Sequence, residues 1–474
     1  VSGGNRTAQG NKLVVNANVR VGKIENFEKV AFKDKDAKLT LTDTGTFNLN
    51  TLEAGFDATA DEATLVESGN ALTLAGGKTF KSELNTDGTQ ETNLDVRDGN
   101  RRIVRYGYTF KGATAATTVG TDTWGGRSVA GNTTTGNVIT VGSGTHTNVY
   151  GGWTTGAGST ATDKGDSISN NVTVSGSATV SGTVYGGFTD VANGKATRNA
   201  VTVDKTIAGA VVGGKALGEA SGNIVTVKAN TGAVTGGDGA TTNNNTVNLE
   251  GASVNGTITG GTAADGTGNT LNVKGQNEAQ NIVGFQKVAF NMNGVAAHGT
   301  MLNLTGGAAT KVDWRTLTAT GTAEKPLTLL KNESGIDLAD YTGAAKSETT
   351  DRAETNVDVR KNSLGKITAI TYEGYQFAGV TTPVVSGTDV YGGISRAGNA
   401  THTNHITVND NYTNVYGGHT SGTSTTAVEK KNSHDNTVTI TGGTLGNVYG
   451  GYTAAADGTT NNNTVTLAGG TVTG

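Results

Sequence analysis

The chain has 474 residues, of which 73 are glycine, 2 are proline and none is cysteine, and its formal net charge is −4. Glycine without a period of three excludes collagen, missing heptads exclude a coiled coil, and missing cysteines exclude disulfides and thiolate metal sites. The near-neutral charge argues against nucleic acid or anionic lipid as the main partner. No apolar run reaches the ~18 residues of a membrane-spanning helix, and the chain, which shows no signal peptide, is expected to be a processed piece.

Residues 1–20 are predicted to be the end of a repeat array, because one block of the pattern Asn-x-apolar-x-apolar occurs at Asn11. Residues 21–118 are predicted to continue the same fold less regularly, with strand-like runs such as FNL at 47–49 and LTL at 72–74. These runs lack Gly-Gly pairs, so a small side subdomain is the alternative for this segment.

Residues 119–277 are predicted to form a Gly-Gly repeat array built from two alternating blocks. The first block is an asparagine followed by alternating apolar residues, as in NNVTV at 170–174, and this period of two is typical of a strand. The second block is a short apolar stretch that ends in Gly-Gly, as in VYGG at 149–152. The first glycines of successive pairs are 26, 35, 27, 23 and 24 residues apart, which indicates solenoid coils with loop insertions.

The asparagines and glycines of these blocks are predicted to have structural roles. Stacked asparagines that share the apolar face of the strands can hydrogen-bond to one another along the stack. This predicted Asn ladder comprises Asn137, Asn170, Asn199, Asn223, Asn245, Asn269, Asn404, Asn436 and Asn463. Glycine pairs supply positive φ or room for close backbone approach, and they are predicted to form repeat turns. The predicted turn glycines are Gly125, Gly151, Gly186, Gly213, Gly236, Gly260, Gly392, Gly417 and Gly450.

The second half of the chain is predicted to duplicate the first. The sequence NFEKVAF at 26–32 returns as GFQKVAF at 284–290, and TNLDVR at 92–97 returns as TNVDVR at 355–360. Residues 278–386 are therefore predicted to be a second less regular segment, and residues 387–474 a second, truncated Gly-Gly array.

One repeat has too few apolar side chains to form a core of its own. Stacking the repeats in register supplies a core, because each strand then bonds to its counterpart ~4.8 Å away. The sequence thus predicts an all-β fold, a single-stranded right-handed parallel β-helix (β-solenoid), elongated to the order of 100 Å. The right-handed winding does not follow from the repeat pattern. It is expected only because crossover connections between parallel strands are generally right-handed.

The motif Val-Tyr-Gly-Gly-aromatic-Thr, followed by Asn-x-Val-Thr-Val, resembles the passenger repeats of bacterial autotransporter (type V secreted) surface proteins. The motif stands at 149–154, 184–189, 415–420 and 448–453, and the resemblance covers the two arrays, about half of the chain. It implies a right-handed β-helix passenger, an extracellular or bacterial cell-surface location, and use as an adhesin or surface fibre. It also implies export through an outer-membrane barrel, so that contact with the membrane is expected only through a C-terminal barrel absent from this sequence. Two-partner-secreted filamentous adhesins share the same coil.

No residue pattern predicts a catalytic group, a cofactor or a bound metal. Gly165-Asp166-Ser167 is similar to a serine protease motif but is followed by Ile-Ser, and we interpret it as a solvated loop. His402 and His405 are three residues apart and would point to opposite faces of a strand, which disfavours shared metal binding. The pairs Asp95/Arg97 and Asp358/Arg360 are interpreted as surface or corner ion pairs.

Two long insertions, at 156–169 and 421–435, are the candidates for contact with a partner, because insertions project from a solenoid. The possible contact residues are Asp163, Lys164, Asp166, Glu429, Lys430 and Lys431. A solvated loop without a partner is the alternative for each insertion.

The sequence therefore predicts a non-enzymatic bacterial surface or extracellular adhesin passenger, whose rigid stalk presents loops for adhesion or for cell–cell and biofilm contacts. The expected partner is a host or bacterial surface molecule, protein or glycan, or another copy of the chain. The first alternative is a self-assembling extracellular filament subunit, favoured because residues 469–474 are in phase with residues 1–4. The second is a secreted glycan-active β-helix enzyme, for which the sequence shows no clustered acidic groove.

Overall fold

The computed structural model describes residues 1–474 except 5–9, 35, 56–60, 157–164, 322–325, 344, 422–430 and 456. Among these described residues all of the regular secondary structure is β-strand, and most strand pairs are parallel. The fold class is therefore all-β, as predicted. The chain divides into two compact units, Val1–Leu271 with Val283–Gln286, and Asn272–Ile282 with Lys287–Gly474. Over the same described residues, no helix has the length and apolarity needed to cross a bilayer.

The first strands begin with parallel pairs and end in an antiparallel meander. They are β1 (Lys12–Val15), β2 (Val19–Val21), β3 (Lys29–Phe32), β4 (Leu39–Leu41), β5 (Thr46–Phe47), β6 (Leu52–Glu53), β7 (Ala63–Ser68), β8 (Thr73–Leu74), β9 (Phe80–Leu84), β10 (Gln90–Arg97) and β11 (Arg102–Thr109). The orders β1-β3-β6 and β2-β4-β7 are parallel, whereas β7-β11-β10-β9 is antiparallel. Phe32, Phe47 and Leu49 are buried in the core of this segment.

The first Gly-Gly array is stacked in parallel, repeat upon repeat. Its strands are β12 (Thr117–Val119), β13 (Asp122–Ser128), β14 (Thr134–Thr135), β15 (Val138–Val141), β16 (Thr145–His146), β17 (Asn148–Thr154), β18 (Ser167–Ile168), β19 (Asn171–Val174), β20 (Thr179–Val180), β21 (Thr183–Thr189), β22 (Ala196–Thr197), β23 (Ala200–Val203), β24 (Ala210–Lys215), β25 (Ile224–Val227), β26 (Val234–Asp238), β27 (Thr246–Glu250), β28 (Ser253–Gly261) and β29 (Thr270–Lys274). The Gly-Gly strands pair in the order β13-β17-β21-β24-β26-β28, and the Asn strands in the order β15-β19-β23-β25-β27. Like lies over like, since Tyr150 pairs with Tyr185 and Val172 with Val201.

The second less regular segment repeats the plan of the first. Its strands are β30 (Asn277–Val283), β31 (Lys287–Asn291), β32 (Thr300–Leu304), β33 (Thr310–Asp313), β34 (Thr318–Thr320), β35 (Leu327–Asn332), β36 (Ile336–Ala339), β37 (Lys346–Thr349), β38 (Ala353–Lys361) and β39 (Ile367–Gln376). Strands β31-β34, β32-β35 and β33-β36 pair in parallel, and β35-β39-β38-β37 form a second antiparallel meander.

The second Gly-Gly array is again stacked in parallel. Its strands are β40 (Val384–Ser386), β41 (Asp389–Ser395), β42 (Thr401–His402), β43 (His405–Val408), β44 (Tyr412–Thr420), β45 (Ser433–His434), β46 (Thr437–Ile440), β47 (Thr444–Tyr449), β48 (Tyr452–Thr453), β49 (Thr460–Asn461), β50 (Thr464–Leu467) and β51 (Thr471–Val472). The orders β41-β44-β47, β42-β45-β49 and β43-β46-β50 are parallel. Strand β40 pairs antiparallel with β41, as β12 does with β13.

The two meanders depart from the expectation that parallel coils continue through the less regular segments. In the first, β10 and β11 are eight residues each, and Asp98, Gly99 and Asn100 between them have φ of 54°, 63° and 64°. A short turn of positive φ returns the chain directly, so the two strands must run antiparallel. In both segments the strands before β9 and before β37 pair in parallel with one another, whereas β9, β10 and β11, and likewise β37, β38 and β39, form only antiparallel pairs.

A column of left-handed residues lies at one corner of both arrays. The residue before each ladder asparagine has φ between 53° and 71°, whether or not it is glycine. These residues are Gly136, Ser169, Arg198, Gly222, Asn244, Gly268, Thr403, Asp435 and Asn462. This conformation turns the chain so that the next side chain, the asparagine, points inward.

We expect Thr403→Gly to raise the melting temperature, because a β-branched residue at φ 53° is strained. The gain is about 1 kcal/mol, or roughly 2–4 °C for a unit of this size. Gly136→Thr is the matched reverse change, since a Cβ there would meet nothing within 4 Å and only the backbone conformation is tested. Thermal melts of both variants measure the effect, and equal shifts of the same sign would contradict it.

Candidate functional surfaces

The predicted asparagine column is a continuous hydrogen-bonded ladder within each array. Asn199, fully buried, donates from Nδ2 to Oδ1 of Asn223 at 3.2 Å and to the carbonyl of Ser167 at 2.9 Å. Its own Oδ1 accepts from the backbone N–H and from Nδ2 of Asn170, both at 3.0 Å. Because each amide is satisfied by its neighbours, the hydrogen bonds offset the desolvation cost of the buried column, and the column fixes the register of the repeats.

The ladders end on partners that the sequence reasoning missed. At the first end of each ladder a backbone N–H donates to the asparagine Oδ1, from Ala113 to Asn137 at 2.8 Å and from Val380 to Asn404 at 2.9 Å. At the other end of the first ladder, Oε1 of Gln286 accepts the backbone N–H of Asn269 at 2.9 Å. Gln286 lies in the sequence GFQKVAF at 284–290, and its amide side chain was the feature from which the end of the ladder could have been predicted.

The Gly-Gly pairs do not form turns. Of the nine predicted turn glycines, all but Gly450 lie inside strands, and Gly450 lies at a bend between β47 and β48. None of the nine has positive φ. A Cβ on Gly186 would lie 2.4 Å from the carbonyl oxygen of Gly213, and one on Gly187 would lie 2.4 Å from Nδ2 of Asn199. Close approach of the next repeat and of the ladder is therefore the reason for glycine.

Aromatic rings are stacked on the strand face opposite the buried valines. Tyr150 lies 5.1 Å from Tyr185 in the first array, and Tyr416 lies 5.1 Å from Tyr391 and 5.2 Å from Tyr449 in the second. Burial, with a smaller contribution from a nearby aspartate, raises the pKa of both Tyr150 and Tyr416 to about 12. Because the ring faces cover one another, this row presents ring edges rather than open faces.

Each meander carries a buried glutamate that ties it to the following array. Glu91 on β10 is fully buried and accepts from Oγ of Ser128 at 2.6 Å, the N–H of Val129 at 2.9 Å and Nδ2 of Asn132 at 2.7 Å. It also accepts from Nδ2 of Asn93 at 3.0 Å. All four donors are neutral groups.

The second unit repeats this arrangement around Glu354 on β38, which is 1% exposed. It accepts from Oγ of Ser395 at 2.7 Å, from Nδ2 of Asn399 at 2.6 Å and from the N–H of Arg396 at 2.6 Å. The sequences ETN at 91–93 and 354–356, and SVAGN and SRAGN at 128–132 and 395–399, carry the motif. Sequence reasoning missed it, although the duplication itself was the signal.

The predicted partner-contact residues are only partly described. Asp163, Lys164, Glu429 and Lys430 lie outside the described residues. Asp166 accepts the backbone N–H of Lys195 at 2.8 Å through Oδ1, and Lys431 lies 3.4 Å from a carboxylate oxygen of Asp457. Both side chains thus contact the next repeat of their own array.

The histidines stack across repeats rather than along one strand. His402 pairs in register with His434, and their rings are parallel within 8° at 5.3 Å. His434 lies 2.7 Å from Asp435, and this contact holds the pKa of the Asp435 carboxyl below its usual range. Across the described ranges, no group of three or more His, Asp or Glu side chains is placed to hold a metal ion.

The two predicted acid–arginine pairs form in the structure. Asp95 lies 2.9 Å from Arg97, and Asp358 lies 3.9 Å from Arg360. Arg97 also pairs with Glu62, which in turn lies 2.9 Å from Arg102. The half-exposed side chains of Asp95, Arg97, Glu62 and Arg102 thus form a charge network on the first meander.

His419 makes the stability of the second unit pH-dependent. Its ring lies 4.8 Å from Tyr416 and 5.0 Å from Tyr452, and burial, followed by the charge of Arg396, lowers its pKa below 6.5. The folded state then binds fewer protons at His419 than the unfolded state, so the contribution of His419 to stability is fully present above pH 6.5 and is lost as the pH falls below it. In thermal melts at pH 7.5 and 5, we expect a smaller acid-induced drop for His419→Phe than for the parent. The exposed His405→Gln is the control, and an unchanged drop in His419→Phe would contradict the prediction.

Arg127 is held by three rings where the first array meets its meander. Its guanidinium carbon lies 4.1 Å from the ring centre of Trp153, 4.5 Å from that of Trp124 and 4.7 Å from that of Tyr108. Comparisons with protein family models, with curated proteins and with solved structures found no match.

Proposed function

We propose that the chain is a non-enzymatic passenger of a bacterial surface protein, an adhesin or surface fibre that acts outside the cell. In this proposal its repeats wind as the coils of a right-handed, single-stranded β-helix, and the resulting stalk presents loops and outer strand faces to host or bacterial surface molecules. No cofactor takes part. The Tyr-Gly-Gly passenger motif of the sequence is the basis for the surface location.

The observation that carries the proposal is the in-register ladder of each array. Seven asparagine-to-asparagine bonds of 2.7–3.2 Å join successive repeats, five in the first array and two in the second. A fully hydrogen-bonded buried column opposes sliding of one repeat over the next. Such stiffness suits a protein that holds contact surfaces away from a cell.

The test is an adhesion assay with the purified chain. Beads coated with the chain are expected to attach to surfaces bearing host matrix proteins or bacterial glycans, and beads coated with the heat-denatured chain are not. Small-angle X-ray scattering is expected to give a maximum dimension on the order of 100 Å. Beads that attach to no surface would contradict the adhesive role.

The alternatives predict different results in the same preparation. A filament subunit gives long fibres in electron micrographs, and beads then aggregate with one another. A glycan-active enzyme releases new reducing ends from polysaccharides. Release of reducing ends would overturn the non-enzymatic proposal.

A further inference from the structure

We propose that Arg127 is an anion-binding site of the first unit and that its ligand is the carboxylate or sulfate of an acidic polysaccharide. The proposal deepens the adhesive function and rests on it for the choice of a glycan ligand. The site is formed by Arg127 with Tyr108 on β11, Trp124 on β13 and Trp153 on β17.

The rings hold the guanidinium in one place. Trp153 stacks on Tyr150 at 4.4 Å and meets Trp124 edge-on at 5.8 Å, so both indoles are themselves held by neighbours. Two of the three tryptophans of the chain lie here. A guanidinium packed against rings loses little further freedom when it binds a planar anion, because its fork of N–H groups is already oriented.

In the described residues the positive charge of Arg127 is met by ring faces and not by a directly paired carboxylate. Within the described residues it forms no ion pair, and its Nε is buried with no acceptor. Two arginines of the adjacent meander differ, since Arg97 lies 2.9 Å from Asp95 and Arg102 lies 3.0 Å from Asp98. The rings offset part of the desolvation cost of this half-buried cation, and a bound anion would supply the counter-charge that the rings do not.

The duplicated second unit shows that packing does not require an arginine here. Ile394 takes the equivalent position after Gly-Gly and is 8% exposed. There a different arginine, Arg396, lies over the meander ring of Tyr375 at 5.5 Å, and its Nε donates to the Tyr375 hydroxyl at 3.1 Å. Arg396 thus donates to the meander tyrosine of the second unit, whereas no described residue accepts a hydrogen bond from the Arg127 guanidinium.

The test measures binding of the full chain to three polysaccharides by calorimetry. Hyaluronan carries only carboxylates, dextran sulfate only sulfates, and dextran neither. We expect at least one acidic polymer to bind, dextran not to bind, and Arg127→Ile to weaken the acidic binding about tenfold or more. Whichever acidic polymer depends on Arg127 identifies the anion.

Three controls separate ligand binding from folding. Arg127→Ile places the residue of the second unit in the first, and a thermal melt within a few degrees of the parent shows that it folds. Arg127→Lys retains the charge and is expected to recover part of the affinity, and Arg396→Ile is expected to leave it unchanged. Failure of the parent to bind either acidic polymer, or equal binding by parent and Arg127→Ile, would overturn the site. Because bead adhesion is measured separately, adhesion that survives Arg127→Ile leaves the proposed function standing without this site.

Discussion

Glu91→Leu is expected to lower the melting temperature of the first unit by about 10 °C. The change leaves the donors of Ser128, Val129 and Asn132 buried without an acceptor. Hydrogen bonds to a charged group contribute about 1.5–3 kcal/mol each, and the loss of the acceptor adds the desolvation cost of the donors. A total of about 4 kcal/mol corresponds to roughly 8–16 °C for a unit of this size.

Fluorescence of Trp124 and Trp153 during thermal unfolding measures this effect, because both report on the first unit. Glu91→Gln retains one acceptor oxygen and is expected to fall between Glu91→Leu and the parent. Glu250→Leu, at the exposed end of β27, is the control and is expected to shift the melt by less than 2 °C. A melt of Glu91→Leu that matches this control would show that the buried carboxylate does not tie the meander to the array.

Asn199→Leu is expected to destabilise the first unit by about 3 kcal/mol. Leucine fills a similar volume but removes the acceptor for the backbone N–H and Nδ2 of Asn170 and the donor to Oδ1 of Asn223. Each buried group left without a partner costs about 1–3 kcal/mol, and the break lies in the middle of the ladder. Hydrogen exchange is expected to quicken at the amide of Asn170.

Asn463→Leu is the matched control in the second array. Its side chain is only partly buried and donates to the carbonyl of Ser433 at 2.8 Å, and Asn436 is the single ladder neighbour that it contacts in the described chain. We expect a loss of about 1 kcal/mol, because water can replace the missing partners at a partly exposed position. Equal losses for Asn199→Leu and Asn463→Leu would indicate that the ladder is not cooperative.

The arrays were predictable from the sequence because their signals are local. Alternation over residues such as Val172 and Val174 predicts a strand, and the recurring asparagine predicts the stacked column with its parallel partners. The right-handed winding and the adhesive role remain predictions, since neither the strand pairing nor the comparisons test them. The function of a repeat surface depends on what it contacts, and neither the alternation nor the ladder encodes that.

The features that the sequence analysis missed depend on contacts between distant residues. Glu91 stands in an ordinary polar run, and its partners follow 37 to 41 residues later. Gly-Gly is typical of turns when it is considered alone, and only the carbonyl of the next repeat, 2.4 Å from a Cβ on Gly186, explains its place within a strand. The left-handed conformation at Arg198 or Thr403 cannot be recognised from the residue type, because different residue types adopt it. What these positions share is that each one precedes a ladder asparagine.

The number of residues in a repeat varies along the chain, but the hydrogen bond between neighbouring ladder asparagines does not. Successive ladder asparagines are 33, 29, 24, 22 and 24 residues apart in the first array and 32 and 27 apart in the second, yet each pair makes the same bond. Doubling the length of a flexible loop costs only about 0.6 kcal/mol. Mutation can therefore lengthen or exchange the outer segments at nearly neutral cost, and related chains can diversify their exteriors while inheriting one interior.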